Sequence, residues 1–139
     1  LVGSEMCIRD SILGEIRGSE VLDVLTAMNT GHDGSMSTVH ANTAQDALLR
    51  LETLVGLSGR QIAEKTMRQM VCAALDVVIQ LTRLPDGRRC VSEVLEVVGV
   101  RDEVYVTNTL FRLDRRGGDT FLREAPNPAG SKLHAEGLL

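Results

Sequence analysis

The pattern that most constrains the fold is a strand, a helix and a second strand within residues 12–40. The apolar run Ile12-Leu-Gly-Glu-Ile16 is typical of a buried strand, and residues 36–40 alternate weakly like another. Between them, apolar side chains at helical spacing predict a helix over residues 19–28, with Ser19 as its N-cap. Two strands joined by one helix run parallel when they pair in a sheet. We therefore predict that Glu15 and His40, at the ends of the two strands, lie side by side.

Polar side chains cluster at the end of this pattern, in the stretch from Asn29 to Asn42. The stretch contains the histidines His32 and His40, the carboxylate of Asp33 and several hydroxyl groups. Reactive groups in open α/β sheets gather beyond the carboxyl ends of strands, which is where Glu15 also lies. The sequence therefore places the candidate functional site in this region.

Three interpretations of this cluster remain open from the residues alone. In the first, Glu15 orients a water and His40 contacts a phosphate, which phosphoryl transfer requires together with Mg²⁺. In the second, His32-Asp33 and His40 bind a divalent metal, although their spacing matches no established metal motif. In the third, the polar residues only cap helices, and the chain is a structural or interaction domain. Residue spacing alone favours the third interpretation.

The chain from residue 42 onward predicts two more helices and then strands. Asn42 or Thr43 caps a helix over residues 44–55, and a capping box from Ser58 to Gln61 opens a helix that ends near Leu75. Segments with the residue preferences of strands follow at 77–81, 91–100, 103–107 and 110–113. We predict an α/β fold whose mixed sheet ends in an antiparallel meander. The looser composition of residues 114–139 predicts a flexible tail.

Length, charge and cysteine usage restrict the possible classes of protein. A chain of 139 residues is long enough for one domain with its own core. The net charge is −4 and no basic face is concentrated anywhere in the sequence, which argues against a nucleic-acid partner. Three isolated cysteines form neither a disulfide framework nor a C-x-x-C metal site, a usage that fits a reducing compartment. The longest apolar run is far shorter than a membrane span.

Two segments resemble motifs of the secretion-ATPase superfamily (GspE/PulE/VirB11-like). The segment Ile12-Leu-Gly-Glu-Ile-Arg-Gly18 resembles the Walker B motif, and Met28-Asn-Thr-Gly-His-Asp-Gly-Ser-Met-Ser-Thr-Val-His-Ala-Asn42 resembles the His box. The sequence of the second segment is most similar to the CpaF/TadA branch, which assembles Tad pili, and next to VirB11-like conjugation ATPases. The resemblance covers about residues 12–113 and implies the C-terminal part of a RecA-like P-loop NTPase domain.

The resemblance also implies roles for individual residues. Glu15 is the Walker B glutamate that polarises the attacking water, and His40 reaches the γ-phosphate of ATP. Thr38 and His32 shape the same wall of the nucleotide site, and Arg17 lies at the nucleotide or subunit boundary. Mg²⁺ arrives with the nucleotide, near Glu15, and is not bound directly by the chain. The implied protein is a homo-hexameric ATP-hydrolysing motor for secretion or pilus assembly. It lies in the cytoplasm, peripheral to the inner membrane, where it binds pilus or secretion platform proteins.

Two parts of the sequence depart from the family pattern. No G-x-x-x-x-G-K-S/T loop occurs in the chain, and this loop provides most of the phosphate cradle. We therefore expect that the chain by itself neither binds nor hydrolyses ATP, which keeps a non-catalytic α/β interaction domain as the alternative function. Residues 1–11 do not resemble the family's approach to the Walker B strand. They begin with Leu1 rather than Met, and we interpret them as a non-native lead-in.

Overall fold

The computed structural model describes residues 12–30, 34–114, 120–123, 131–135 and 137. In chain order the elements are β1 (Ile12–Glu15), α1 (Val21–Asn29), β2 (Met36–Thr38), α2 (Ala44–Leu57), α3 (Glu64–Ala74), β3 (Val77–Arg83), β4 (Arg89–Arg101), β5 (Val104–Asp114), β6 (Thr120–Arg123) and α4 (Lys132–Ala135). Among the helices in these ranges, none combines the length and apolar character needed to cross a membrane.

The strands form a parallel pair and an antiparallel meander. β1 pairs in parallel with β2, and Glu15 lies opposite Thr38 in the register. The other four strands form a sheet in the order β3-β4-β5-β6, with antiparallel neighbours throughout. The α/β class, the parallel pair and the meander are confirmed, but the described residues place them in two sheets rather than in one mixed sheet. Helices α2 and α3 lie between the two sheets in the chain, and both pack against β4.

The core lies where the first three helices meet each other and β4. Its most deeply buried side chains are aliphatic, and each contributes about 1.5–3 kcal/mol through removal from water; they are Val21, Leu25, Leu48, Leu54, Val55, Val71 and Val97. Five of these seven residues lie in the helices predicted over residues 19–28 and 44–55. The helical periodicity of the sequence therefore identified most of the core.

The starts of the helices differ in how well the sequence predicted them. Thr43 caps α2 as predicted, because its Oγ1 accepts a hydrogen bond of 3.0 Å from the Asp46 N–H. The predicted Ser19 cap of α1 is wrong, since Glu20 holds the N-cap position. The predicted capping box at Ser58 is also wrong. The Ser58 hydroxyl donates to the Val55 carbonyl at the end of α2, and α3 begins only at Glu64.

The second half of the meander also departs from the prediction. The predicted strands 103–107 and 110–113 are one continuous strand, β5. A two-residue turn joins β4 to it, with Asp102 at φ 49° and Glu103 at φ 62°. The gap between the predicted strands 91–100 and 103–107 indicated a turn here, and Asp102 is a usual residue for its first position, whereas Glu103 stands where glycine is usual. The predicted flexible tail likewise contains β6, which pairs with β5, and the short helix α4.

A buried carboxylate fixes the segment around α4 to the sheet. Glu96 in β4 is fully buried and accepts hydrogen bonds from Asn108 Nδ2 at 2.9 Å, Ser131 Oγ at 2.7 Å and the Leu133 N–H at 3.0 Å. Burial acts to raise the pKa of Glu96, but these donors together hold it below the ordinary value. Lys132 Nζ donates to the carbonyls of Cys72 at 2.7 Å and Leu75 at 3.0 Å, at the C-terminal end of α3.

We expect Glu96→Gln to lower the free energy of unfolding by about 1–3 kcal/mol at pH 7, because donors that now face a carboxylate would face an amide. A carboxyl group with a lowered pKa stabilises the fold above its unfolded pKa of about 4.3 and loses that effect as pH falls through the folded pKa. Urea denaturation should therefore show a smaller difference between wild type and variant at pH 3 than at pH 7.

The matched control is Glu93→Gln on the same strand, whose carboxylate pairs with Arg112 at 3.1 Å near the surface. This variant should change the free energy of unfolding by less than about 1 kcal/mol. A Glu96→Gln variant as stable as the wild type at pH 7 would contradict the anchoring role.

Candidate functional site

Backbone and side-chain hydrogen bonds between β1 and β2 build the site. The Ile16 N–H donates to the Thr38 carbonyl at 2.8 Å, just beyond the end of β1. The Ser37 hydroxyl donates to the Gly14 carbonyl, also at 2.8 Å. These contacts fix the carboxyl ends of the two strands side by side, so the residues that follow them project into the same region.

Glu15, Arg17 and His40 meet at this edge. His40 Nε2 lies 3.2 Å from Glu15 Oε1, and the Arg17 guanidinium forms an ion pair and hydrogen bond with Glu15 Oε2. The Glu15 side chain is 23% exposed, whereas those of Arg17 and His40 are 76% and 89% exposed. The Arg17 hydrogen bond, aided by the charges of Arg17 and His40, holds the pKa of Glu15 below its ordinary value. Glu15 is therefore ionised at neutral pH, and both of its neighbours are open to a ligand.

The turn after β1 is held by a carboxylate that the sequence analysis did not assign to the site. Glu20 Oε1 accepts hydrogen bonds from the Arg17 N–H at 2.6 Å and the Gly18 N–H at 2.9 Å. Backbone donors, foremost that of Arg17, lower the pKa of Glu20. The spacing of three residues between Arg17 and Glu20 was the available indication, because side chains at this spacing reach back to N–H groups before a helix.

The loop after His40 contacts the meander. Gln80 Nε2 in β3 lies 3.4 Å from the carbonyl oxygens of both Ala41 and Asn42, and it donates to them across the gap between the two sheets. An open depression of about 500 Å³ adjoins His40 here and continues along the exposed face of α2; its lining residues are His40, Ala41, Asn42, Asp46, Leu49, Arg50 and Thr53. No pattern in the sequence predicts this connection.

The predicted site residues are only partly brought together. Glu15, Arg17 and His40 are in direct contact, as the parallel pairing predicted for Glu15 and His40. Thr38 contributes its backbone carbonyl to the strand pairing, and its side chain is exposed. His32 lies outside the described residues, so its predicted place in the wall stays a prediction.

The metal-site interpretation is likewise not tested by the geometry. Its members His32 and Asp33 lie outside the described residues. Within the ranges that the structure describes, no three His, Cys, Asp or Glu side chains group closely enough to hold a metal ion.

The chemistry of the three side chains in contact suits a phosphate-containing ligand. An ionised carboxylate can orient a water by accepting its proton, and guanidinium and imidazole donors can neutralise phosphate oxygens. The accessible Arg17 and His40 side chains provide these donors beside Glu15. The residues present therefore fit a nucleotide that carries Mg²⁺ on its phosphates.

Comparison with known proteins shows the family. Residues 10–86 match the family described as type II/IV secretion system protein. The chain belongs to this family. The conjugal transfer protein TrbB of Rhizobium radiobacter is 38% identical over 109 residues, which cover 77% of this chain and 32% of TrbB. The type IV secretion system protein VirB11 of Bartonella henselae is 32% identical over 85 residues, which cover 60% of this chain and 24% of VirB11.

A solved relative supports the same conclusion for the fold. The crystal structure of the VirB11 ATPase from the Brucella suis type IV secretion system, in complex with sulphate, is 31% identical with a TM-score of 0.57. The alignment covers 62% of this chain and 27% of that one. The predicted class, part of a RecA-like α/β domain, is thereby confirmed. This chain spans about a third of the length of the curated relatives it matches.

We expect Arg17→Ala to raise the pKa of Glu15 toward its ordinary value, because the Arg17 guanidinium is the main cause of its lowering. Titration of the Glu15 side-chain carboxyl carbon by ¹³C NMR measures this directly. Arg60→Ala removes an exposed arginine that has no ion pair with other described residues, and it should leave the Glu15 pKa unchanged. An unchanged Glu15 pKa in Arg17→Ala would show that the ion pair does not persist in solution.

Proposed function

We propose that residues 12–113 form the Walker B and His-box wall of an ATP-hydrolysing site in a motor for secretion or pilus assembly. The observation that carries the proposal is the contact of Glu15 with both His40 and Arg17 beyond the ends of two parallel strands. Family membership supports it, because the relatives include conjugal transfer and type IV secretion proteins. Within the superfamily, the sequence of the segment that resembles the His box supports the CpaF/TadA branch of Tad pilus assembly.

The proposed roles of the side chains are those that the family resemblance implies, and the charges and contacts of Glu15 and Arg17 support them. Glu15 accepts a hydrogen bond from the attacking water and aligns it with the γ-phosphate, which is the task of a water-positioning carboxylate. His40 donates to the phosphate oxygens, and Arg17 lies where it can share the charge at the nucleotide or subunit boundary. By the family resemblance, Thr38 and His32 would complete the wall, and Mg²⁺ bound to ATP would supply neutralising charge at the phosphates.

Chemistry with tetrahedral anions is also consistent with a solved relative. The Brucella suis protein is described as an ATPase in complex with sulphate, an anion that has the tetrahedral oxygens of a phosphate group. Because the present chain spans about a quarter of that protein, the activity of the whole assembly is part of our proposal. That assembly is a homo-hexamer at the cytoplasmic face of the inner membrane, bound to secretion or pilus platform proteins.

A second function rests on a different observation. The chain has no G-x-x-x-x-G-K-S/T loop, and backbone N–H groups of that loop cradle the phosphates in P-loop enzymes. By itself the chain would then be a non-catalytic α/β interaction domain, which shares the fold but not the reaction.

We expect Glu15→Gln to lower kcat for ATP hydrolysis by about 100-fold or more in the protein expressed from its complete reading frame, because an amide cannot accept the water's proton. His40→Ala should lower kcat by about 10- to 100-fold through loss of one phosphate donor. His134→Ala is the matched control, because His134 is an exposed histidine on α4, away from the site. ATP hydrolysis that persists at the wild-type rate in Glu15→Gln would refute the proposed function.

The chain of 139 residues by itself should neither bind nor hydrolyse ATP measurably. Isothermal titration with Mg-ATP tests binding, and phosphate release tests hydrolysis. Release of phosphate that Glu15→Gln abolishes would contradict this expectation and exclude the non-catalytic alternative.

A further inference from the structure

Glu20 has no direct role in the proposed reaction. It lies at the N-cap of α1, but its side chain makes no hydrogen bond to the N–H groups of that helix. It turns back instead, and Oε1 accepts from the Arg17 N–H at 2.6 Å and the Gly18 N–H at 2.9 Å. Compensation of the helix dipole requires only a negative charge near the N-terminus and does not explain hydrogen bonds to these two N–H groups.

These two hydrogen bonds lie in the segment that joins β1 to α1. The last backbone contact of β1 to its neighbour is the Ile16 N–H to Thr38, and the next regular one is the Val21 N–H to the Gly18 carbonyl at 3.3 Å. Between them, Glu20 Oε1 accepts from the N–H groups of Arg17 and Gly18. The backbone of Arg17 is therefore oriented by Glu20.

Gly18 makes room for this arrangement. A Cβ atom at position 18 would lie 3.1 Å from Glu20 Oε2, a distance shorter than that of nine in ten Cβ contacts in protein structures. A side chain at this position would push the carboxylate away from the turn. The glycine and Glu20 thus act together to close the turn tightly after β1.

The side chain of Arg17 then completes a chain of contacts that ends at the reactive carboxylate. Its backbone is fixed by Glu20, and its guanidinium binds Glu15 Oε2 opposite His40 on Oε1. We propose that Glu20 is a positioning residue that, through Arg17, holds the Glu15 carboxylate in its water-orienting geometry. The effect on catalysis rests on the proposed function, whereas the effect on Glu15 itself does not.

The direction of one measurement separates positioning from a simple effect of charge. Removal of the Glu20 negative charge, acting only through space, would lower the Glu15 pKa further. Loss of positioning would free Arg17 from Glu15 and would raise the Glu15 pKa, because the Arg17 hydrogen bond is what lowers it most. The two explanations therefore predict shifts of opposite sign.

The experiment titrates the Glu15 carboxyl carbon by ¹³C NMR in the chain of 139 residues. In Glu20→Ala we expect the Glu15 pKa to rise toward its ordinary value, whereas Glu20→Gln should stay near wild type because its amide oxygen still accepts both hydrogen bonds. Asp23→Asn is the charge-matched control, because Asp23 is an exposed acid in the first turn of α1. It should leave the Glu15 pKa unchanged or slightly lower it.

A double variant tests whether Glu20 acts through Arg17. If it does, Glu20→Ala should add no further rise once Arg17→Ala is present, because coupled residues are not additive. If Glu20→Ala disrupts the fold, as a lost cooperative urea transition would show, Gly18→Ala replaces it. We expect its Cβ to displace the carboxylate and to raise the Glu15 pKa in the same direction by less. A Glu15 pKa that falls or does not change in the folded variant would overturn the proposal.

The catalytic consequence is measured in the protein from the complete reading frame. Glu20→Ala should lower kcat about tenfold with KM changed less than twofold, since misplacement of a catalytic group affects the reaction more than binding. Glu20→Gln should restore kcat. If the Glu15 pKa rises in Glu20→Ala but Glu15→Gln hydrolyses ATP at the wild-type rate, the proposed function is refuted and the positioning role is supported. If the Glu15 pKa is unchanged in Glu20→Ala and Glu15→Gln loses hydrolysis, the positioning role is refuted and the proposed function is supported.

Discussion

The parallel pairing of β1 with β2 is the interaction on which the candidate site depends. Glu15 and His40 are separated by a helix and a turn in the chain. The strand pairing brings His40 Nε2 to 3.2 Å from Glu15 Oε1. The pairing itself is short, since β2 has three residues and β1 has four. A site built on so few ladder contacts needs further support, and the Ser37 hydroxyl and Glu20 carboxylate provide it on either side of Glu15.

The antiparallel meander supports the site from the other side. β4 packs against α2 and α3 through Val97, and Gln80 of β3 reaches the loop that follows His40. Because α2 begins directly after that loop, a displacement of the meander would move the helix and the loop together. The meander therefore has a structural connection to the β1–β2 pair, although it carries none of the candidate site residues.

The sequence predicted the part of this structure that periodicity and motif spacing determine. The helical stripes identified the core around Leu48 and Leu54, and the strand–helix–strand pattern identified the contact between Glu15 and His40. It did not predict contacts between distant segments, such as that of the Gln80 amide with the carbonyl oxygens of Ala41 and Asn42. Such contacts depend on how the two segments lie relative to each other, and no local preference encodes this placement. The gap between the predicted strands 91–100 and 103–107 did place the turn at Asp102 to within a residue. The positive φ of Glu103 was not predicted, because this position of the turn usually holds glycine.

The carboxylates of Glu96 and Glu15 have different physical roles. Glu96 is fully buried among neutral donors and fixes one segment to another, so its value lies in the stability of the fold. The Glu15 carboxylate is partly exposed and contacts the exposed Arg17 guanidinium and His40 imidazole, and such exposed contacts contribute little to stability. An ion pair with little structural value, held in place by Glu20 on an otherwise open edge, is better explained by the ligand it can receive. A phosphate bound by the exposed donors of Arg17 and His40 would lie beside the Glu15 carboxylate, which Arg17 holds in place to orient a water.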